Sequence, residues 1–128
     1  RRGMMIEVFG TETSLVEKCS SHFCKVLGIN SANISILTDE IMETNGACYQ
    51  NTIDDYMIVL KVRPEYDMIQ TLAHELVHVK QFIQNNLAEY LETNEPYYNR
   101  WWEIEAYAKE SELMQNLIQE ITKGNLKL

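Results

Sequence analysis

Hydrophobic and polar residues in the first quarter of the chain follow a helical period. Apolar side chains recur at this spacing up to Gly28, at Leu15, Cys19, Phe23, Val26 and Leu27. Ser14 and Glu17 form a capping-box pattern, which predicts that a helix starts near Ser14. Gly28 is suited to end it.

Short runs rich in β-branched and aromatic residues predict strands around this helix. Residues 34–37 and 46–51 predict short strands, the second at the edge of a sheet, and residues 6–9 are either a strand or an ordered start. Residues 38–45 are polar and favour neither structure. The nearly continuous apolar run at residues 56–62 is typical of a strand that is buried on both faces.

A second helix is predicted to follow that strand. Pro64 suits a first helical turn, and Glu65 and Asp67 complement the positive end of the helix dipole. The helix should run to about residue 84. Its predicted apolar side consists of Met68, Leu72, Leu76, Val79 and Ile83.

A connection over residues 86–99 leads to a final helix, predicted from about residue 100 to 123 and stopped by Gly124. The predicted fold class is α+β, with a small twisted sheet packed on the second helix and the first and last helices completing the core. Residues 1–128 are interpreted as one domain, with residues 1–4 set aside as a tail.

Composition narrows the classes of function. A net charge of −8 disfavours nucleic-acid binding, because an acidic surface repels phosphates. The three cysteines include no C-x-x-C pair, which disfavours a disulfide framework. We expect all three to be small, buried apolar residues in a reducing cytosol. We find no run of 18 apolar residues and no signal-peptide pattern. These features predict a cytoplasmic protein, bacterial or viral, without a membrane span.

The segment His74-Glu75-Leu-Val-His78 is an H-E-x-x-H sequence within the second predicted helix. On an α-helix, His78 lies about 40° around the axis from His74, so both imidazoles can bind one ion from one side. Glu75 lies roughly 60° beyond His78, close enough to reach a water on that ion without being a ligand. The spacing predicts a catalytic zinc site.

A catalytic zinc usually has three protein ligands, and the final helix offers Glu103 and Glu105 for the third position. Periodicity places Glu103 on an inward, apolar side and Glu105 about 200° away, on a solvated side. The inward side is predicted to include Tyr107, Met114, Leu117, Ile118 and Ile121. An inward carboxylate is costly unless it is paired or metal-bound, so Glu103 is preferred and Glu105 is the alternative. Glu110 also falls near the inward side, as a supporting residue or as part of the rim.

A buried strand, an H-E-x-x-H helix and then Glu103-Ile-Glu-Ala106 on a later helix resemble the gluzincin metallopeptidases in a minimal form. The chain is also similar to SprT-like and ImmA/IrrE-type peptidase domains, over roughly its second half. The resemblance implies that His74, His78 and Glu103 bind one zinc ion and that Glu75 is the general base and acid. It also implies a peptide or protein substrate lying antiparallel to an edge strand.

Two features depart from these families. Many SprT-like proteins use a third histidine as ligand and add a cysteine zinc ribbon, whereas here His22 lies upstream, where a structural role is favoured, and no cysteine follows Cys48. In the gluzincin and ImmA/IrrE patterns an Asp or Asn often follows the alanine and supports the histidines. Here that residue is Tyr107.

The predicted function is zinc-dependent hydrolysis of peptide bonds. The alternative is a non-proteolytic zinc-binding regulatory or interaction module with a peptidase-like fold, although a purely structural zinc has no need of Glu75. Tyr97, Tyr98 and Arg100 are candidate donors to the transition state. The favoured interpretation of Tyr97, Tyr98, Trp101 and Trp102 is an aromatic cluster that fixes the start of the final helix.

Overall fold

Four strands form an open sheet in the computed structural model, which describes residues 3–93 and 95–128. Residues 1 and 2 of the predicted tail lie outside the described residues. In chain order the elements are β1 Met5–Phe9, α1 Thr13–Leu27, β2 Asn33–Asp39, β3 Gly46–Thr52, β4 Asp55–Lys61, α2 Glu65–Asn85, α3 Leu87–Tyr90 and α4 Trp101–Thr122. A 3₁₀ turn at Tyr97–Asn99 precedes α4. The prediction of a mixed α+β fold is confirmed.

The strand order is β1-β2-β4-β3. Strands β1, β2 and β4 are parallel to one another, and β3 lies antiparallel to β4 at one edge of the sheet. The edge position predicted for residues 46–51 is therefore confirmed, and residues 6–9 belong to a strand.

The free side of β3 follows from its hydrogen-bonding phase. Lys61 N–H donates to the Asn45 carbonyl at 2.9 Å, and in this register Asn45 lies opposite Lys61. Backbone groups of an antiparallel strand alternate between its two sides. Gly46 and Cys48 therefore direct their N–H and C=O groups away from β4, along the open edge.

The helices cover one face of the sheet. Along β4, Tyr56, Ile58 and Leu60 are buried, whereas Met57 is 37% exposed and Val59 is half-buried. The prediction that this strand is buried on both faces is wrong. Its apolar run combines a core-facing row with a second apolar row on the open face, and periodicity cannot distinguish that arrangement from a sheet covered on both sides.

The start of α1 also differs from the prediction. The helix begins at Thr13, after Glu12 in the left-handed conformation, and no side chain caps it. Ser14 is already inside the helix. Thr11 N–H donates to Thr38 Oγ1 at 2.7 Å, which anchors the preceding turn to β2. The capping box is therefore wrong. Val26 is 48% exposed, and the buried side of the helix includes Val16 and Cys24 instead.

The second and last helices were predicted to within about two residues at each end. Pro64 immediately precedes α2 rather than lying in its first turn. In α2, Met68, Leu72, Leu76 and Val79 are buried as predicted. Ile83 is 43% exposed, and its neighbour Phe82 faces the core instead.

The inward side of α4 is rotated from the predicted one. The buried residues of this helix are Trp102, Ala106, Glu110, Leu113, Met114 and Leu117. At 100° of rotation per residue, the centre of this buried side lies roughly 50° around the helix axis from Glu103. Tyr107, Ile118 and Ile121 are exposed, contrary to the prediction. Glu103 consequently lies at the margin of the core, where a carboxylate can reach both α2 and solvent.

Among the described residues, no helix has the length and hydrophobicity needed to cross a membrane.

Candidate metal centre

Three side chains from α2 and α4 converge at one point. Glu103 Oε1 lies 2.8 Å from His74 Nε2 and 3.2 Å from His78 Nε2. One ligand atom from each residue lies within 4.8 Å of the others, so the group can hold a metal ion. The structure thus brings together the three ligands predicted from sequence.

Each histidine has a partner for its second ring nitrogen. Glu110 Oε1 accepts a hydrogen bond from His74 Nδ1 at 2.8 Å, and Gln81 Oε1 accepts one from His78 Nδ1 at 2.8 Å. With Nδ1 donating, the Nε2 lone pairs of the neutral rings are available to a metal. Glu110, three residues beyond Tyr107, thereby supports His74.

The fully buried side-chain amide of Gln81 connects the two helices. Its Nε2 donates to the Trp102 carbonyl at 3.0 Å and to Glu105 Oε1 at 2.8 Å. These two acceptors fix the orientation of the amide, and its oxygen must therefore face His78. Glu105, the alternative ligand, does not join His74, His78 and Glu103 and instead accepts a hydrogen bond from Gln81.

Opposite charges stabilise this cluster when no metal is bound. Burial lowers the pKa of His74, but its hydrogen bonds with Glu103 and Glu110 outweigh burial and raise it to about 9. Burial raises the pKa of Glu103, but its hydrogen bonds with His74 and His78 dominate and lower it to about 2. Binding of a divalent cation would replace protons on the histidines with the charge of the metal.

Glu75 lies beside the cluster without belonging to it. The residue is only 7% exposed, and burial raises the pKa of its carboxyl, while the two nearby histidines oppose that rise. A Cβ added at Gly46 would lie 3.2 Å from Glu75 Oε2. The carboxylate therefore sits between the metal ligands and the first residue of β3.

A cleft of about 400 Å³ opens over these groups. Its floor is formed by Thr71, His74, Glu75 and His78, and one wall by residues 44–48, including the start of β3. The rest of its lining comes from Phe82, Leu87, Leu91, Tyr97, Trp102, Glu103 and Tyr107. An extended chain lying in this cleft would contact both the open edge of β3 and the metal cluster.

The three candidate donors are placed differently. Tyr97 lines the cleft, and its hydroxyl lies 3.0 Å from the hydroxyl of Tyr107, whose ring packs against His74. Tyr98 is 76% exposed, and the guanidinium of Arg100 lies over the Tyr97 ring at 5.3 Å. Of the three, Tyr97 is the one that lines the cleft.

The predicted aromatic cluster is present in a modified form. Tyr90 packs against Trp101 and Trp102, with ring centroids 5.2 and 6.1 Å apart, at the start of α4. Tyr90 belongs to this cluster, whereas Tyr98 points to solvent. Trp102 has a second role, because it also lines the cleft.

The remaining predicted residues lie outside the metal cluster. His22 Nε2 is 2.7 Å from Asn116 Oδ1 and bridges α1 and α4, which fits a structural role. Cys19 and Cys24 are buried as expected. Cys48 is only partly buried and lines the cleft beside Glu75. The protein around its thiol and the nearby carboxylate both raise the pKa of that thiol, which is therefore protonated at neutral pH.

Sequence analysis did not identify Gln81. Its position three residues after His78 was the available signal, since residues i and i+3 of a helix are neighbours.

Gln81→Leu should weaken metal affinity by about 10–100-fold, as is typical when a hydrogen-bonding partner of a ligand is lost. Gln84→Leu is the matched control, because Gln84 is exposed on the same helix, and it should leave the affinity unchanged. Competition with a chromophoric chelator measures both, and equal affinities for wild type and Gln81→Leu would contradict this role.

The chain has no match among protein-family models, and no curated protein or solved structure is significantly similar to it.

Proposed function

We propose that the chain is a zinc-dependent peptidase of the gluzincin type. The observation that carries the proposal is a group of three side chains that could hold a metal ion, with the carboxylate of Glu75 beside it in an open cleft. A structural zinc site normally uses four protein ligands, whereas a catalytic site uses three and leaves one position open.

The donor set fits zinc. Two imidazole nitrogens and one carboxylate oxygen are ligands that zinc accepts, and they match the two-histidine, one-glutamate set of catalytic zinc sites. Both histidines have an acceptor at Nδ1, as ligating histidines almost always do. When bound, zinc would polarise the substrate carbonyl and lower the pKa of its water to about 7.

Glu75 then acts as the base and the acid. Its carboxylate takes the proton of the attacking water and delivers it to the departing amine, which leaves the carboxylate ready for the next cycle. The carboxylate lines the cleft and is only 7% exposed, so bulk water solvates it weakly. Tyr97 is our candidate for donating a hydrogen bond to the oxygen that becomes negative as the carbonyl is attacked.

The open edge of β3 supports binding of an extended peptide. Gly46 and Cys48 direct their backbone donors and acceptors away from β4 along the cleft, and a peptide can add to such an edge as a further strand. An antiparallel peptide is favoured because antiparallel pairing is slightly more stable per residue.

Metal removal and restoration test the proposal. Zinc-loaded protein should hydrolyse members of a diverse peptide library, lose this activity after dialysis against a chelator, and regain it when one equivalent of zinc is returned. Mass spectrometry of the products measures cleavage, and elemental analysis measures the metal. Stoichiometric zinc without any hydrolysis would favour the non-proteolytic module, and hydrolysis that survives complete zinc removal would overturn the proposed mechanism.

A further inference from the structure

One end of the cleft is apolar and takes no part in holding the metal or the base. Phe82, Leu87 and Trp102 are almost fully buried there, while Leu91 is 50% exposed at the rim. The Phe82 ring lies 5.8 Å from that of Tyr56, and Trp102 is fixed against Tyr90. The walls of this apolar end are therefore packed in place before any ligand arrives.

The apolar end lies toward the carboxyl end of β3. At the start of the strand, Gly46 is packed against Thr71 and Glu75. Four residues later, the Gln50 amide donates to the Tyr56 hydroxyl at 3.2 Å, and Tyr56 packs on Phe82. The path from Gly46 to Gln50 thus runs from the reacting groups toward the apolar end.

The direction of the strand then orients the substrate. A peptide that pairs antiparallel with β3 has its amino-terminal side near Gln50 and its carboxyl-terminal side near Gly46. Phe82 is seven residues beyond Glu75 on α2, a separation of about 10 Å, or about three residues of an extended peptide. Side chains on the amino-terminal side of the bond that meets Glu75 would therefore face the apolar end.

We infer that the cleft selects extended peptides with a bulky apolar side chain on the amino-terminal side of the cleaved bond, held against Phe82, Leu87, Leu91 and Trp102. This inference rests on the proposed function for its direction and its cleavage point. Removing such a side chain from water should favour binding by about 10- to 100-fold over alanine at the same position.

Cleavage-site mapping on a peptide library is the first test. Sequencing of the products from zinc-loaded protein should show enrichment of leucine, methionine or phenylalanine within about three residues before the cleaved bond. Enrichment only after that bond, or no apolar preference, would overturn the inference while leaving the peptidase proposal intact.

The rim residue Leu91 provides a second test that leaves the buried core unchanged. Leu91→Glu should lower kcat/KM for the apolar substrates about 10-fold or more and shift preference toward lysine or arginine at the same substrate position. Leu128→Glu is the matched control, because Leu128 is 48% exposed and does not line the cleft. Equal losses in both variants would contradict selection at the apolar end.

Binding separates the inference from the proposed function. Zinc-loaded Glu75→Gln should bind fluorescein-labelled leucine peptides 10- to 100-fold more tightly than alanine analogues in polarisation assays, without cleaving them. If the wild-type protein binds with this preference but cleaves nothing, the apolar pocket stands and the peptidase proposal fails. If Glu75→Gln binds both peptides equally, the pocket does not select its ligand.

Discussion

Glu75→Gln is expected to reduce peptide hydrolysis by about 10²–10⁴-fold while zinc content remains near one ion per chain. The substitution keeps the shape of the side chain and removes its capacity to accept a proton. Glu75 is not among the three residues of the metal cluster, so its replacement leaves the ligand set intact. Because the residue is 7% exposed, a neutral side chain also avoids burying a charge, and the fold should be retained.

The decisive measurement is kcat at saturating substrate, with zinc determined on the same sample. Glu112→Gln is the matched control, since the Glu112 side chain is 70% exposed on the solvent side of α4. This control should retain full activity and zinc. If Glu75→Gln retained wild-type kcat, the base would have to be another group, and the proposed mechanism would be wrong. A parallel loss of zinc and activity would instead make Glu75 a structural support.

The parts of the site that sequence predicted are those governed by one helical period. His74, Glu75 and His78 lie within five residues of one another, so the geometry of a single helix fixes their relative positions. The choice of Glu103 over Glu105 also used one period, on α4. That choice picked the glutamate that the structure brings to the two histidines, although the inward side of the helix was misplaced. Glu103 lies at the margin of the observed side, and Glu105 lies well outside it.

The partners that hold the ligands depend on how two helices meet, and no local pattern determines that. Glu110 reaches His74 across 36 positions, and Gln81 contacts both Trp102 and Glu105 on α4. Their roles follow from the rotation of α4 about its axis, which tertiary packing sets. The open face of the sheet was missed for a related reason, since an apolar run does not reveal whether a second layer covers it.

The contacts of Gln81 show that Glu103 and Glu105, the preferred and the alternative third ligand in the sequence analysis, have different surroundings. Glu103 meets the histidines directly, whereas Glu105 acts two hydrogen-bonded contacts away, by holding the amide that orients His78. The pair Glu103 and Glu105 therefore distinguishes a ligand from a remote support on the same helix. Substituting each in turn should therefore lower metal affinity to clearly different extents.

Glu103→Ala is expected to lower zinc affinity by at least about 100-fold, beyond the range typical of residues that only support a ligand. The variant leaves two protein ligands where catalytic zinc normally has three. Glu105→Ala keeps all three ligands, and Gln81 still donates to the Trp102 carbonyl, so its affinity should fall less than about 10-fold. Chelator competition gives both affinities, and thermal unfolding of the metal-free proteins checks that each variant is folded. If Glu105→Ala lost more zinc affinity than Glu103→Ala while both stayed folded, Glu105 would be the third ligand. Helix α4 would then have to pack against α2 in a different rotation about its own axis.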